Sequence, residues 1–391
     1  MMQNVDVLIV GGGMVGLSLA AALQHSSLSV ALVSNTDIEQ PLPASATTRV
    51  SAINKRNADT LQRLGAWQHV ASDRVCAYTQ MAVWDKDSFG RIAFDAAATQ
   101  TSELGHIVEN QALVNALAKQ VSAQPQTTVI RGNIERVLHG DNQTMVMLDN
   151  QDAIGCKLLV GADGATSLVR RHAAFPLTFK DYEHTAIVAN LRTELPHQGV
   201  ARQVFTPTGP LALLPMADEH LVSVVWSQDK PDAAKLLGMD EEAFSHALAS
   251  TAHSVLGPMQ LASERYHFPL VMRYARQWAK DGMLILGDAA HTIHPLAGQG
   301  ANLGMQDAFT LAEHLVALTE SHKSIASLRY LRPWERARKT EATKMIAAME
   351  GFKQLFEGND PLKKLVRGVG LAATDALPAV KNRWVAQAMG L

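Results

Sequence analysis

The chain has 391 residues, 47% of them hydrophobic and 18% charged, so it can bury the core of one large domain or of two smaller ones. Its formal net charge of −2 lacks the basic excess of a nucleic-acid-binding protein, so we expect no nucleic-acid partner. The two cysteines, Cys76 and Cys156, support neither a disulfide framework nor a zinc site, and we expect no bound metal. No signal peptide or transmembrane run is evident, which favours a cytoplasmic protein.

The first motif follows the first predicted strand. The apolar stretch 5–10 precedes Gly11, Gly13 and Gly16, which have the spacing G-x-G-x-x-G and lead into a helix rich in alanine and leucine. In this setting the glycines allow a tight turn, a close approach by a pyrophosphate and packing of helix on strand. We predict a dinucleotide site, which the motif alone cannot assign to FAD or NAD.

The second predicted strand, 29–33, should end in an acid that binds ribose hydroxyls, but Ser34 stands there. Asp37 lies three residues further on, so either residue could take this role. No arginine stands nearby in the sequence to bind a 2′-phosphate, which argues against NADP at this site. Arg49 could reach a pyrophosphate or a flavin, although a solvated charge is the simpler interpretation.

The next segment is mixed. A helix carries Leu61, Leu64 and Trp67, and alternation over 82–94 predicts a hairpin that turns at 87–90. An amphipathic helix is predicted over 111–121, followed by antiparallel strands at 129–137 and 145–148.

A second glycine-bearing strand end follows. The buried strand 157–160 ends in Asp163-Gly164, where a strand should meet the nucleotide crevice, and a helix begins near Ser167. From 175 to 279 the periodicity becomes strand-like, with one helical stretch near 241–250. This segment is the candidate substrate wall, although its apolar residues could equally form an ordinary core.

A third strand end has the richest loop. The strand 283–286 leads into Gly287-Asp288, where Asp288 is placed to accept hydrogen bonds from a polyol. A tight loop is predicted from Pro295, Gly298 and Gly300. The helical spacing of 301–315 should deliver backbone N–H groups at a helix N-terminus, which suits a ring carbonyl or an anionic flavin. A plain glycine-rich turn is the alternative.

The end of the chain is helical by pattern. A long helix is predicted over 330–357, and the stretch 361–391 is amphipathic with an excess of lysine and arginine. Such a tail can dock on a membrane surface or a partner, or pack as an ordinary C-terminal helix.

Together, the motifs at 11–16, 163–164 and 287–302 resemble the single-component FAD-dependent monooxygenases of the p-hydroxybenzoate-hydroxylase fold. Within that fold, the stretch 291–304 resembles the aerobic ubiquinone-biosynthesis hydroxylases. Further stretches are similar to the 2-polyprenylphenol hydroxylase branch, which hydroxylates C5 of the ubiquinone nucleus, namely 83–90, 104–110, 176–182, 201–205 and 274–276. The resemblance covers essentially the whole chain.

The resemblance implies an α/β fold with three parts. A discontinuous Rossmann-like FAD-binding domain would take 1–75, 100–174 and 280–350. A β-sheet-rich substrate domain would take 76–99 and 175–279, and a C-terminal helical segment 351–391.

The resemblance also implies cofactor-binding roles. Gly11, Gly13 and Gly16 would hold the FAD pyrophosphate. Arg49 matches the family arginine, although Thr47 replaces the acid often found two residues before it. The other implied ligands of FAD are Asn110, Asp163, Gly164, Gly287, Asp288, Pro295, Gly298, Gly300, Ala301 and Asn302.

The implied reaction is aromatic hydroxylation with O2 and NAD(P)H through a C4a-hydroperoxyflavin. The substrate would be a polyprenylated phenol. Other ubiquinone-biosynthesis proteins, the inner face of the membrane and a second copy of the chain are further candidate partners. His294 is a candidate acceptor for the phenol proton, but a turn-capping histidine is favoured and no catalytic residue is assigned.

Two other functions stay open. The enzyme could hydroxylate another ring position or a soluble phenol. Alternatively, the protein could be a flavin-binding accessory protein that holds lipid intermediates without oxidising them.

Overall fold

The computed structural model describes residues 2–140, 143–293, 299–356, Gly358 and Met389. The strands in these ranges are β1 (Met2–Val10), β2 (Val30–Ser34), β3 (Val50–Asn54), β4 (Val75–Tyr78), β5 (Gln80–Asp85), β6 (Arg91–Asp95), β7 (Gly105–Glu109), β8 (Thr127–Arg131), β9 (Ile134–His139), β10 (Thr144–Leu148), β11 (Ala153–Gly161), β12 (Leu177–Thr193), β13 (Val200–Thr206), β14 (Gly209–Pro215), β15 (Leu221–Asp229), β16 (Met259–Leu261), β17 (Tyr266–Ala275), β18 (Ala279–Lys280), β19 (Met283–Ile285) and β20 (His291–Thr292).

The α-helices in the same ranges are α1 (Met14–Ala22), α2 (Lys55–Arg63), α3 (Asn110–Ser122), α4 (Leu168–His172), α5 (Lys230–Leu237), α6 (Glu241–Thr251), α7 (Gln299–Glu320) and α8 (Leu328–Phe356). Short 3-10 turns lie at Trp67–His69, Ser72–Arg74, Ala96–Thr99 and Gly287–Ala289. No helix in the described part of the chain is both long and apolar enough to cross a membrane.

A largely parallel sheet forms the first half of the molecule. Its strand order is β18-β19-β11-β1-β2-β8, and the five consecutive strands from β19 to β8 run parallel. Because β1, β2 and β11 are covered on both faces, their sequences are nearly continuous apolar runs. In-register pairing sets Val10 beside both Val33 and Gly161, so the glycine-bearing ends of β1 and β11 meet at one edge of the sheet.

The second half is a mostly antiparallel sheet in the order β20-β17-β12-β15-β14-β13-β5-β6, with β16 on β12. One face packs on α5 and α6 through alternate residues such as Ile187, Val224 and Leu213. The residues between them point to the opposite face, because side chains alternate along a strand. That opposite face looks toward the first half of the molecule.

The segment 283–292 crosses between the two sheets. β19 pairs with β11 in the parallel sheet, and after one 3-10 turn β20 pairs with β17 in the antiparallel sheet. A third, small sheet, β3-β7-β4, lies beside this junction. The motif with the richest loop therefore lies where the two halves meet.

Many elements match the sequence predictions, but the strands β3, β4 and β7 were not predicted, and the helix expected to carry Leu64 and Trp67 ends at Arg63. Three further elements differ. The segment predicted as one antiparallel strand over 129–137 is split at Gly132, and its first part, β8, pairs parallel with β2. The helix predicted from 301 begins at Gln299, so Gly300 is helical and not part of a loop. The helix α5 was missed, because it is short and follows directly on β15.

The division into domains remains a proposal. It is supported by the pairing of β5 and β6 with strands of 177–275 in one sheet, across a long gap in sequence. Residues beyond 358, apart from the buried Met389, lie outside the described residues, as does the predicted basic tail with them.

Candidate functional site

The glycine motif lines a cleft of about 580 Å³ at the edge of the parallel sheet. Gly11 has a φ of +120°, and a Cβ there would lie 2.3 Å from the carbonyl oxygen of Ala162. A Cβ at Gly16 would lie 2.0 Å from the carbonyl oxygen of Gly11, so α1 can approach β1 only without a side chain. A Cβ at Gly13 would meet no protein atom within 4 Å, which leaves its backbone open to a ligand.

Asp163 and Gly164 lie on the same cleft, at the end of β11. One carboxylate oxygen of Asp163 accepts hydrogen bonds from the backbone N–H groups of Leu168 (2.6 Å) and Val169 (3.1 Å), so it caps α4. The other oxygen, Oδ1, is buried without a hydrogen-bond partner in the described chain. Gly164 has a φ of +78° and open space where a Cβ would lie.

The ribose end of this cleft corrects one expectation. Ser34 is buried and donates a hydrogen bond to the carbonyl of Thr36 (2.8 Å), while Asp37 lines the cleft and is exposed. The expectation that no arginine lies near this end of the cleft was wrong, because the fold brings one there from a distant part of the sequence. Arg131 is paired with Ser34 in the β2–β8 register and lies 3.1 Å from the Asp37 carboxylate.

A larger cleft of about 850 Å³ lies between the two halves of the molecule. Gln111 and Val114 on α3 line both clefts, so the two are contiguous. Arg49, Asn110 and Asn302 line the larger one, so the structure brings these three residues to one cleft. An elongated ligand can therefore extend from the glycine motif into the space between the sheets.

Asn110 and Arg49 are fixed through their backbones. The N–H of Asn110, the first residue of α3, donates to the carbonyl of Arg49 (2.9 Å). Asn110 Oδ1 is buried and has no hydrogen-bond partner in the described chain, whereas the Arg49 side chain is exposed. Thr47 donates its N–H and hydroxyl to the buried Glu109 (both 2.8 Å), so a carboxylate from β7 lies beside the position where the family acid is missing.

Gly287 and Asp288 form the 3-10 turn after β19. Gly287 has a φ of +58°, which favours glycine. Asp288 is reached by solvent, yet the protein around it disfavours its charge and raises the pKa of the carboxyl, against the opposing effects of His291 and Arg273. Hydrogen bonds from a polar ligand would stabilise the charged form of this carboxyl.

Asn302 is buried in the first turn of α7. Its side chain accepts from the N–H of Asn54 (2.9 Å) and donates to the carbonyl of Ala52 (2.7 Å), which ties α7 to β3 and α2. Ala301 lies in the same first turn of α7, where backbone N–H groups have no partner inside the helix. His294, Pro295 and Gly298 lie outside the described residues.

A buried charge network under this turn was missed. Asp307 on α7 bonds His291 Nε2 at 2.5 Å, Arg338 Nε at 2.6 Å and the N–H of Gly287 at 3.1 Å. Burial acts to raise the pKa of Asp307, but His291 and Arg338 outweigh it and hold the pKa below its ordinary value. The available signal was an aspartate at helical spacing on the apolar stripe that includes Leu303 and Leu311.

The described residues fit an extended dinucleotide. The glycine cradle is open where a pyrophosphate would lie. Two buried side-chain oxygens of cleft residues, Asp163 Oδ1 and Asn110 Oδ1, have no hydrogen-bond partner in the described chain. Such orphaned oxygens are uncommon in folded proteins unless a ligand, ion or water completes them. Both can accept hydrogen bonds from the hydroxyl or N–H groups of such a cofactor.

Comparison with known proteins agrees with this geometry. A family model described as FAD binding domain matches residues 4–348. The chain is 35% identical to the mitochondrial ubiquinone biosynthesis monooxygenase COQ6 of Danio rerio, over 97% of this chain and 89% of that protein. It is 32% identical to the 3-demethoxyubiquinol 3-hydroxylase of Escherichia coli (strain K12), over 100% of this chain and 99% of that protein.

The fold has relatives among solved structures. The p-nitrophenol 4-monooxygenase PnpA from Pseudomonas putida DLL-E4 superposes with a TM-score of 0.79 at 18% identity, over 99% of each chain. The predicted fold class and the FAD cofactor are thereby confirmed. The chain belongs to the FAD-binding-domain family and, within it, to the FAD-dependent monooxygenases of ubiquinone biosynthesis.

Proposed function

We propose that this monooxygenase hydroxylates the ring of a 2-polyprenylphenol at C5 in aerobic ubiquinone biosynthesis, with O2 and NAD(P)H as co-substrates. The observation that carries the proposal is the pair of contiguous clefts. One has the glycine-lined form of a nucleotide site, and the other is large and mostly apolar. An FAD that extends through both clefts would present its flavin ring to the apolar wall of the larger cleft.

The residues that would hold FAD come from three strand ends. Gly11, Gly13 and Gly16 would carry the pyrophosphate, and Asp163 and Gly164 would close that end of the site. The flavin end would be held by Arg49, Asn110, Gly287, Asp288, Gly300, Ala301 and Asn302, together with Pro295 and Gly298. Bound FAD supplies the activation of O2 that no amino-acid side chain provides.

The larger cleft suits an aromatic substrate with an apolar substituent. The antiparallel sheet contributes Val188, Val225, Ala212 and Leu214 to its wall. Such a wall excludes water from the reacting carbon, and water exclusion limits wasteful loss of activated oxygen as peroxide. These side chains would form the substrate wall expected for segment 175–279.

The main alternative to the proposed function is hydroxylation at a ring position other than C5. The Escherichia coli relative, which the chain matches from end to end at 32% identity, carries the name of a 3-hydroxylase. A soluble phenol as substrate, or a flavin-binding accessory role without oxidation, would also use the same nucleotide cleft. Association with other proteins of the pathway, a membrane surface or a second copy of the chain belongs to the proposal as well.

The test is aerobic turnover of FAD-loaded protein with a short-chain 2-prenylphenol and either NADH or NADPH. We expect a product heavier by one oxygen, labelled from ¹⁸O2, with the hydroxyl placed at C5 by NMR. A hydroxyl at another carbon would show that the proposed ring position is wrong, while the protein would still be an aromatic hydroxylase. Bound, reducible flavin without any stimulation by prenylphenols would favour the accessory role.

A further inference from the structure

One row of side chains crosses the wall of the larger cleft. Tyr266, Val188, Val225, Ala212 and Gln203 are direct cross-strand partners in sequence from β17 to β13. All five line the cleft. Strand spacing makes the row about 19 Å long, since it crosses four gaps of about 4.8 Å each.

Gln203 is the polar end of this row. Its side chain is 8% exposed and makes no hydrogen bond to any described residue. Its neighbours across the strands are the small apolar Ala212 and, on β5, Val83. The amide is reached by solvent through the cleft, and a ligand that covered it without hydrogen bonds would take water from two donors and an acceptor, which is costly.

Several other polar groups of this cleft already have partners. Arg202 donates to the carbonyls of His197 and Val200 (3.0 Å each), and Asn302 is bonded to β3 and α2. The Tyr266 hydroxyl donates to the Glu264 carboxylate at 3.1 Å. Gln203 differs from these residues because it keeps its full bonding capacity while facing the cleft.

We propose that Gln203 binds the ring oxygen of the phenolic substrate and thereby selects oxygenated rings and sets the orientation of the ring. The amide N–H donates to a phenol or phenolate oxygen, and the amide carbonyl accepts from a phenol O–H. The apolar remainder of the row, from Ala212 to Val188, then receives the part of the substrate that carries no hydrogen-bonding groups. This inference rests on the proposed function and adds a specificity-determining residue to it.

The test compares a prenylphenol with the matching prenylbenzene, which lacks only the ring oxygen. Binding of each to the FAD-loaded protein is measured by flavin absorbance, for the unaltered chain and for Gln203→Met, which keeps the side-chain length. We expect the unaltered chain to prefer the phenol about 10-fold or more, because an unmatched buried polar group costs about that much. Gln203→Met should show less than about a 2-fold preference, with FAD affinity unchanged.

The matched control is Gln80→Met on the adjacent strand. Gln80 is exposed, its side chain donates to the Asp95 carboxylate (2.9 Å), and it does not line the cleft. We expect this variant to keep the full phenol preference.

The outcomes separate the two proposals. If the unaltered chain neither binds nor hydroxylates prenylphenols, the proposed function fails and the role of Gln203 fails with it. If it turns over the phenol but Gln203→Met keeps the 10-fold preference, only the role of Gln203 is wrong. A loss of FAD affinity in Gln203→Met with the preference intact would assign the amide to the cofactor and overturn the inference.

Discussion

The two clefts of this protein are built in opposite ways. The nucleotide cleft lies at the ends of parallel strands and depends on absent side chains, since Gly11 and Gly16 admit no Cβ and Gly13 leaves space for a ligand. The larger cleft lies on the face of an antiparallel sheet and consists of side chains such as Val188 and Val225. Under the proposed function, the first cleft would recognise FAD through the backbone, and the second would recognise the substrate through side chains that can be exchanged.

The turn that joins these regions depends on Asp307, so its removal should have the largest effect. Asp307→Asn should lower the free energy of unfolding of the FAD-free protein by about 3–5 kcal/mol, because Arg338 stays buried without its carboxylate. Urea unfolding measures this change. Since the pKa of Asp307 is lowered in the fold, its stabilisation is present at neutral pH and is lost as the pH falls below about 4.

The control for Asp307 replaces both charges. The double variant Asp307→Asn with Arg338→Met should be more stable than Asp307→Asn alone, because no buried guanidinium is left without its partner. Equal stabilities would mean that the network does not join the two regions through charge.

The glycine pair tests whether the nucleotide cleft depends on missing side chains. Gly16→Ala should destabilise the FAD-free protein by about 3 kcal/mol, because a Cβ would lie 2.0 Å from the Gly11 carbonyl. Gly13→Ala should leave stability within about 0.5 kcal/mol and weaken FAD binding at least about 10-fold. Thermal unfolding and a fluorescence titration with FAD separate the effects, and normal FAD binding by Gly13→Ala would contradict the pyrophosphate role.

A substitution of Asp288 tests whether FAD binds at the turn between the parallel and antiparallel sheets. Asp288→Asn should weaken FAD binding about 10-fold, because a charge-assisted hydrogen bond is lost. The FAD-free variant should be no less stable than the unaltered chain at pH 7, since the raised pKa means that the fold disfavours the charged carboxylate. The unaltered chain should therefore gain stability from this group as the pH falls through the raised pKa, and the variant should not.

The smallest expected effect concerns the ribose end. Asp37→Asn should weaken FAD binding about 3-fold and should change stability by less than about 0.5 kcal/mol, since the Asp37–Arg131 pair is exposed. The comparison is Asp59→Asn, another paired aspartate, which lies outside the cleft. An FAD affinity as unaffected in Asp37→Asn as in Asp59→Asn would mean that neither Ser34, which is engaged with Thr36, nor Asp37 binds the ribose through its side chain.

Local chemistry explains how much could be predicted. The strand, turn and helix around Gly11–Gly16 form one continuous segment, so spacing alone indicates the site. Asn110 was placed by resemblance to a family, and the structure brings it to the larger cleft. Gln203 carries no motif, because its orientation depends on which strands lie beside β13.

The sequence by itself determined the strands and helices that flank the glycine motifs, the glycine cradle and the family of this protein. These features follow from neighbours in the chain, through periodicity and the conformational freedom of glycine. Only the tertiary structure decided which distant side chains meet: Arg131 with Asp37, 94 residues away, and Arg338 with Asp307, 31 residues away. Such pairs follow from strand register and helix packing, which depend on burial across the whole chain and leave little local trace.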